Sequence, residues 1–152
     1  METDSIDRRI LSVLQKSGRM SNSELSEVVN LSQSACHRRV QRLEKAGIIR
    51  DYVALLDPRK VNRPTTVFVE ITLSGQADEV LDAFEKAVAR VPDVLECHLM
   101  AGTADYLLKV VAGDTEDFAR IHRRYLATLP GVAQMQSSFA LRTVRQTTAL
   151  PV

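Results

Sequence analysis

The side chains best suited to chemistry lie in residues 32–50, where five basic groups stand beside a single acid, Glu44. An arginine can form two hydrogen bonds with O6 and N7 of guanine, and a glutamine can do the same with N6 and N7 of adenine. Lysine and arginine also neutralise phosphates, which gives sequence-independent affinity for nucleic acid. These residue types predict contact with double-stranded DNA. The alternative is a helix face whose basic groups only aid solubility.

Helical spacing divides this segment into two faces. Cys36, Val40 and Leu43 share one stripe, which we expect to pack against neighbouring helices, and Arg39 lies near that stripe. The opposite face predicts base contacts from Ser34, His37, Arg38 and Gln41. The expected phosphate contacts are Arg39, Arg42, Lys45 and Arg50, and the candidate DNA-binding set is completed by Ser32 and Gln33.

Two short helices are predicted ahead of this segment. Apolar residues at helical spacing over residues 6–14 indicate the first, which Asp4 or Ser5 can cap and Gly18 can close. The sequence Ser21-Asn22-Ser23-Glu24 is a capping box and begins the second. Both helices are expected to bury their apolar stripes against the third.

The third helix is predicted to begin at Ser32 and to end at Gly47. Two short helices joined by a tight turn, with a polar outward face on the second of them, are typical of a helix-turn-helix. In that motif the second helix enters the major groove. Residues 48–56 then predict a strand, interpreted as a wing beside the helices.

The chain is expected to contain two domains joined by a hinge. Asp57-Pro58 and Arg63-Pro64 bracket a polar connector. We therefore predict a helix-turn-helix domain over residues 1–50, a wing strand and hinge linker over residues 51–64, and a second domain over residues 65–152.

In the second domain the apolar pattern changes to strict alternation. Val67, Val69 and Ile71 alternate with other residues and predict a half-buried strand. The elements predicted next are a helix ending near Pro92, strands over residues 94–101 and 105–111, a helix ending at Pro130, and a strand over residues 132–143. The order βαββαβ is the split arrangement of ferredoxin-like domains, so the expected fold class is α+β.

Two helices can cover only one face of such a four-stranded sheet. An uncovered apolar face usually packs against another molecule. We expect this face to pair with a second copy of the chain, giving a homodimer. The residues predicted on it are Phe68, His98, Met100 and Tyr106.

The second domain offers little catalytic chemistry. Cys97 and His98 are consecutive on a strand and should point to opposite faces, which argues against a catalytic pair or a shared metal ion. The sequence has no glycine-rich phosphate loop and no nucleophile elbow, and we predict no metal and no cofactor. Two alternatives stay open: a thiol or metal sensor that uses Cys36 or Cys97, and a small enzyme that uses His98 or Tyr106.

The corner Gly102-Thr103-Ala104-Asp105-Tyr106 is the remaining candidate site. A glycine permits close backbone approach, and a nearby carboxylate could hold an ammonium group. The alternative is a hairpin turn that happens to contain an acid.

Composition narrows the class of protein. The 152 residues carry a net charge of +1, and the chain has no apolar run long enough to span a membrane and no signal-like N-terminus, so a cytoplasmic protein is expected. The charge is unevenly distributed: residues 1–60 hold 11 basic and 8 acidic side chains, whereas residues 61–152 hold 9 and 11. This asymmetry predicts a basic module joined to a slightly acidic one.

Taken in order, the motifs resemble the Lrp/AsnC family, the leucine-responsive or feast/famine transcription regulators. The resemblance covers essentially the whole chain and is closest to the leucine-responsive members. It is carried by Ile6-Asp7-Arg8, RRVQRLEKAGII at residues 38–49, YVALLDP at 52–58, FVEITL at 68–73, ECHL at 96–99, GTADYLLK at 102–109 and TTALP at 147–151.

The resemblance implies a winged helix-turn-helix that binds DNA and a βαββαβ domain that mediates dimerisation and effector binding. It further implies assembly of dimers to tetramers or octamers, and a small amino-acid effector held between subunits. The family's Gly-Asp-x-Asp-Tyr corner has Thr103 in place of its first acid, so only Asp105 carries over as the partner of the effector ammonium. The implied effector site comprises Leu99, Met100, Ala101, Gly102, Thr103, Ala104, Asp105, Gln136, Ser138 and Ala140.

Overall fold

The computed structural model describes residues 2–152 and divides the chain into two compact units. The helical unit contains the residues up to Leu55 together with Arg145–Val152, and the sheet unit is Leu56–Val144. The last eight residues therefore belong with the N-terminal helices, whereas the sequence placed them in the second domain. Among the described residues no helix is both long and apolar enough to cross a membrane.

The helical unit is built from α1 (Ser5–Leu14), α2 (Asn22–Val29) and α3 (Gln33–Lys45). Its first two helices begin with the expected capping boxes. The Asp4 carboxylate accepts the N–H of Asp7 at 2.8 Å, and the Ser21 hydroxyl accepts the N–H of Glu24 at 3.2 Å. Helix α1 ends at Leu14, earlier than the predicted stop at Gly18.

Left-handed backbone conformations end the next two helices. Asn30 has φ 55° and turns the chain sharply between α2 and α3, a conformation that asparagine tolerates better than most residues. Gly47 has φ 70° after α3. There the N–H of Ile48 donates to Leu43 O at 3.0 Å and that of Gly47 to Glu44 O at 2.9 Å, the bond pair of a Schellman motif. The predicted end of the third helix is confirmed.

The three helices enclose a small apolar core. Cys36 and Leu43 of α3 are fully buried, as the predicted stripe requires, and Val40 is half-buried beside them. Their buried partners on the other two helices are Ile10, Leu11, Leu25 and Val29. The stripe therefore fixes which side of α3 is turned outward.

An ion pair lies at one end of this core. Asp7 of α1 is fully buried, and each of its carboxylate oxygens accepts a hydrogen bond from an arginine of α3. Arg39 Nη1 lies 2.8 Å from Oδ1 and Arg42 Nη2 lies 2.6 Å from Oδ2. Arg39 Nη1 also lies 2.7 Å from Oδ2 of Asp4. Helices α1 and α3 are thus held together by charge as well as by apolar packing.

The prediction of a wing strand in residues 48–56 is wrong. The described chain has no strand between the end of α3 and Thr65, and residues 58–62 form turns. A strand needs a neighbour whose N–H and C=O groups pair with its own, and no strand is described elsewhere in the helical unit. Val53 and Leu55 of this segment are largely exposed, so burial does not impose the extended conformation either.

The sheet unit has the expected βαββαβ order. Its elements are β1 (Thr65–Leu73), α4 (Asp78–Val88), β2 (Val94–Leu99), β3 (Tyr106–Ala112), α5 (Thr115–Arg124), the 3-10 turn Leu126–Thr128 and β4 (Val132–Phe139). The strands are antiparallel in the order β2-β3-β1-β4. Strands β2 and β4 end earlier than predicted, and α5 gives way to the 3-10 turn before Pro130.

The two helices cover one face of the sheet. Val67, Val69 and Ile71 of β1 are fully buried beneath them, which confirms the alternation seen in the sequence. The opposite face carries Phe68, which is 40 % exposed, and Lys109, which pairs with it across β1 and β3. His98 and Glu96 of β2 share that face, because Glu96 is the register partner of Lys109.

Tyr106 was predicted on the uncovered face, and this is wrong. It pairs in register with Ile71, whose side chain points to the helices. The Tyr106 ring stacks on Phe84 of α4 with centroids 4.6 Å apart, and its hydroxyl donates to Glu85 at 2.7 Å. Because side chains alternate along a strand, a one-residue difference in register moves every residue to the other face.

We expect Asp7→Asn to destabilise the helical unit by about 2 kcal/mol, because it weakens hydrogen bonds between a buried charge and two guanidinium groups. The measurement is urea unfolding of the full-length chain followed by helical circular dichroism. Glu27→Gln is the matched control, since it removes an exposed carboxylate from α2 and should change stability by less than about 0.5 kcal/mol. Equal effects of the two substitutions would show that the ion pair contributes nothing specific.

Candidate DNA interface and ligand corner

The outward face of α3 carries most of the predicted DNA-binding residues. Because the buried stripe faces the other helices, the opposite side chains are exposed. They are Ser34, His37, Arg38, Gln41 and Lys45. Arg50, beyond the end of the helix, is also exposed. The geometry can present hydrogen-bond donors and positive charge to a groove.

The first residues of α3 form part of the turn itself. The Ser32 hydroxyl accepts the N–H of Ala35 at 3.2 Å and caps the helix. The Gln33 side chain donates to the Ser23 hydroxyl at 3.0 Å, and its carbonyl accepts from Asn22 at 2.9 Å. Ser32 and Gln33 therefore have structural partners that fix the start of α3 against α2.

Arg39 does not join the outward face. Its side chain is 26 % exposed and its guanidinium is held by Asp4 and Asp7 of α1, which corrects its assignment as a free phosphate contact. The bonds to Asp4 and then Asp7 raise the pKa of Arg39. The N–H of Asp7, followed by Arg39, lowers the pKa of Asp4. Both groups are charged at neutral pH and neutralise one another.

Arg42 has a mixed position. It donates to Asp7, yet half of its side chain is exposed, so the rest of the guanidinium can reach another anion. The sequence contained a signal for these pairs that the periodicity missed. Asp7 lies between Ile6 and Ile10 on the apolar side of α1, and an acid in that position requires a basic partner.

Glu44, the acid within the basic segment, is also engaged. The Tyr52 hydroxyl donates to Glu44 Oε1 at 2.9 Å. Partial burial, followed by the bond to Glu44, raises the pKa of Tyr52 to about 12. The contact joins the end of α3 to the segment that follows it.

The ligand corner is the loop between β2 and β3, with Asp105 at its end. The Asp105 carboxylate accepts the N–H of Leu73 at 2.7 Å and the side-chain amide of Gln76 at 2.8 Å. Its own N–H donates to Ile71 O at 2.9 Å, and its carbonyl accepts from Met100 at 2.8 Å. Asp105 is therefore a rigidly placed carboxylate that already has two donors, which sequence reasoning did not foresee.

The loop before Asp105 is open. Met100, Ala101, Gly102 and Thr103 are exposed, and Ala104 is half-buried. A Cβ added at Gly102 would meet no atom within 4 Å, so the fold itself does not require a glycine there.

The remaining effector candidates do not converge in one protomer. Gln136 and Ser138 pair with Glu70 and Phe68 and so lie on the uncovered face, on the edge strand β4. Leu99 pairs with Tyr106 on the helix side of the opposite edge strand, β2. Three strand spacings separate these edges, roughly 14 Å. Ala140 continues from β4, its N–H bonded to Thr66 O. A pocket that uses all of these residues needs a second copy of the chain.

The two cysteines lack the surroundings of reactive thiols. Cys36 is fully buried in the helical core, and burial raises its pKa. Burial and then the charge of Glu85 raise the pKa of Cys97 to about 11. The thiolate is the reactive and metal-binding form, so both side chains are poor nucleophiles at neutral pH. Within residues 2–152 no three His, Cys, Asp or Glu side chains are grouped as metal ligands.

The candidate catalytic side chains are also separated. Burial and the bond to Glu85 raise the pKa of Tyr106, whose hydroxyl is held within the core. His98 lies on the uncovered face, 3.2 Å from Glu96. Because the two side chains occupy opposite faces of the sheet, they cannot act on one substrate in this protomer.

Comparison with known proteins identifies both parts of the chain. A family model described as winged helix-turn-helix DNA-binding matches residues 3–50, and one described as the Lrp/AsnC ligand binding domain matches residues 66–150. The chain is 42 % identical over 151 residues to the leucine-responsive regulatory protein of Escherichia coli strain K12, covering 99 % of this chain and 92 % of that protein. The protein of that name from Klebsiella pneumoniae gives the same values.

Solved structures agree over nearly the full length. A transcriptional regulator from Neisseria meningitidis, solved as a complex with L-Met, superposes with a TM-score of 0.93 at 41 % identity, covering 99 % of this chain and 97 % of that one. An AsnC family transcriptional regulator from Agrobacterium tumefaciens gives a TM-score of 0.94 at 39 % identity, covering 98 % and 97 %. The outward face of α3, the βαββαβ sheet and these matches together show that the chain belongs to the Lrp/AsnC family of DNA-binding transcriptional regulators.

Proposed function

We propose that this Lrp/AsnC-family regulator recognises specific operators through α3 and responds to a small free amino acid bound between subunits. The genes it controls would be those of amino-acid metabolism or transport. The observation that carries the proposal is the division of basic side chains on α3. Arg39 is held inward by acids of α1, whereas Arg38 and Lys45 are exposed on the outward face.

In this proposal the outward residues have two roles. The base-reading side chains are Ser34, His37, Arg38 and Gln41. Lys45 and Arg50 contact phosphates, together with the exposed part of Arg42. Arg39 holds α3 against α1 instead of contacting DNA directly.

We expect Arg38→Ala to weaken binding to a selected operator by about 1–3 kcal/mol and to relax preference at one base pair, because a bidentate contact to a base edge is lost. Lys45→Ala should instead weaken binding to all sequences and reduce the slope of log K against log salt by about one unit. Fluorescence anisotropy with operator and scrambled duplexes over a salt series measures both effects.

Arg19→Ala is the control, since it removes an exposed positive charge from the helical unit outside α3. An Arg38→Ala variant that binds the selected operator as the parent chain does would exclude Arg38 from base recognition. A Lys45→Ala effect no larger than that of Arg19→Ala would remove its phosphate contact.

The amino-acid part rests on the ligand corner and on the relative solved with L-Met. A carboxylate oxygen can accept more than one hydrogen bond, so Asp105 can hold an ammonium group in addition to its donors Leu73 and Gln76. The N–H of Met100 is engaged by Asp105 O, so the proposed donors to the ligand carboxylate are the amides of residues 101–104. A neighbouring subunit would supply Leu99 or the β4 residues Gln136, Ser138 and Ala140.

We expect Asp105→Asn to abolish stabilisation by the cognate amino acid while leaving an oxygen that can accept from Leu73. A thermal-shift screen with the twenty amino acids is the measurement. The parent chain should gain about 2.7 kcal/mol at a ligand concentration one hundred times Kd. Gln76→Ala is the control, because it removes a donor to Asp105 but keeps the charge. A full shift in Asp105→Asn would place the ammonium site elsewhere.

The oligomer part of the proposal rests on the uncovered sheet face. Phe68 lies near its centre at 40 % exposure, with Leu107 and Val111 of β3 on the same side. Burial of such a face against a second copy removes apolar area from water on both copies. We propose that this face forms the homodimer and that dimers assemble further into tetramers or octamers.

Phe68→Glu is expected to convert the assembly to smaller species, because it places a charge in the centre of that apolar contact. Light scattering coupled to size-exclusion chromatography gives the mass. Ala83→Glu adds the same charge to an exposed position of α4 and should leave the mass unchanged. If Phe68→Glu retains the parent mass, the interface lies on another surface.

A further inference from the structure

The side-chain amide of Gln15, at the end of α1, contacts both main-chain polar groups of one distant residue. Its Nε2 donates to Leu150 O at 3.0 Å, and its Oε1 accepts the N–H of Leu150 at 2.6 Å. A two-point contact of this kind mimics strand pairing and recognises an extended peptide through its main chain. Neither the DNA interface nor the ligand corner uses it.

An apolar groove surrounds this contact. It has a volume of about 550 Å³, and Leu150 and Val152 line one side of it. The other side is contributed by Leu11, Leu14, Ile48, Ile49, Tyr52 and Val53. All of these residues belong to the helical unit. Leucine and valine side chains therefore face an apolar surface while Gln15 fixes the backbone between them.

The peptide has features that favour an extended, preorganised form. Pro151 restricts Leu150 to extended backbone conformations. The Thr147 hydroxyl accepts the N–H of Ala149 at 3.1 Å, which orders the turn before it. Less conformational entropy is then lost when the peptide is seated.

The same contact is solvent-exposed. Leu150 is 71 % exposed and both of its hydrogen bonds to Gln15 lie at the surface. Exposed hydrogen bonds exchange readily with water, and segments with few buried contacts open locally at low cost. The docked peptide is therefore in equilibrium with a free one.

We propose that the groove is a docking site for the chain's own C-terminal peptide, residues 147–152, and that docking forms a reversible second attachment between the two units. The chain leaves the helical unit after Leu55 and returns to it at Arg145. A docked peptide therefore attaches the sheet unit at both of its ends, whereas a free peptide leaves only the linker that follows Leu55.

Amide hydrogen exchange of the full-length chain tests this proposal, resolved to single residues at low temperature and mildly acidic pH. In the parent chain the Leu150 amide should exchange about tenfold more slowly than in Gln15→Met, which keeps the size of the side chain but loses both hydrogen bonds. Gln15→Glu should be intermediate, because its carboxylate still accepts the N–H of Leu150 but repels its carbonyl.

Lys16→Met is the matched control, since it introduces the same side chain at the adjacent exposed position and should leave Leu150 exchange unchanged. Pro151→Gly provides a measure that does not touch the helical core. It frees the backbone of the exposed tail and should accelerate Leu150 exchange severalfold.

Equal Leu150 exchange in the parent chain and in a folded Gln15→Met variant would overturn the proposal. Protection that rises with protein concentration would assign the groove to the tail of a second copy and would likewise overturn docking within one chain. Protection that is independent of concentration and lost in Gln15→Met supports it.

Discussion

The geometry of the DNA-facing helix depends on a carboxylate that has no access to water. Burying an unpaired charge costs several kcal/mol, so Asp7 is tolerable only while Arg39 and Arg42 remain within hydrogen-bond distance. Rotation of α3 about its own axis would break both bonds at once. The ion pair therefore sets the rotation of α3, and with it the side chains that face outward. The apolar stripe alone would permit more freedom, because it contains only Cys36 and Leu43 as fully buried residues of that helix.

The sequence was sufficient wherever the determinant is local. The Ser21 capping box, the glycine after α3 and the alternation of β1 each follow from residues within a few positions of one another, and the structure contains all three. Local patterns could not place Tyr106, because a strand presents opposite faces at successive residues and only its pairing with Ile71 decides between them. They also could not reveal that Arg39 faces α1, since its acidic partners lie more than thirty positions earlier in the chain.

The ligand corner shows a second limit of sequence reasoning. Asp105 was found as a carboxylate next to a flexible loop, but its partners Leu73 and Gln76 come from the turn after β1. Those contacts make Asp105 a structural residue before any ligand binds. The other effector candidates came from resemblance to a family, and a resemblance does not say which subunit supplies each residue. The sheet order separates β2 from β4, so completion of the site is a property of an assembly and not of one protomer.

Pairing within the helical unit also changes the meaning of the charge balance. The +3 balance of residues 1–60 overstates the field offered to DNA, because Arg39 and part of Arg42 are neutralised by Asp4 and Asp7. About three phosphate contacts then remain per copy, from Lys45, Arg50 and the exposed part of Arg42. At a slope of about −0.9 for each contact, affinity of one copy would fall only as roughly the third power of salt concentration, and it would start from a weak value. Linked copies multiply such affinities through effective concentration. A ligand site completed only by neighbouring subunits therefore acts on the quantity to which DNA occupancy is most sensitive, the number of helical units held together.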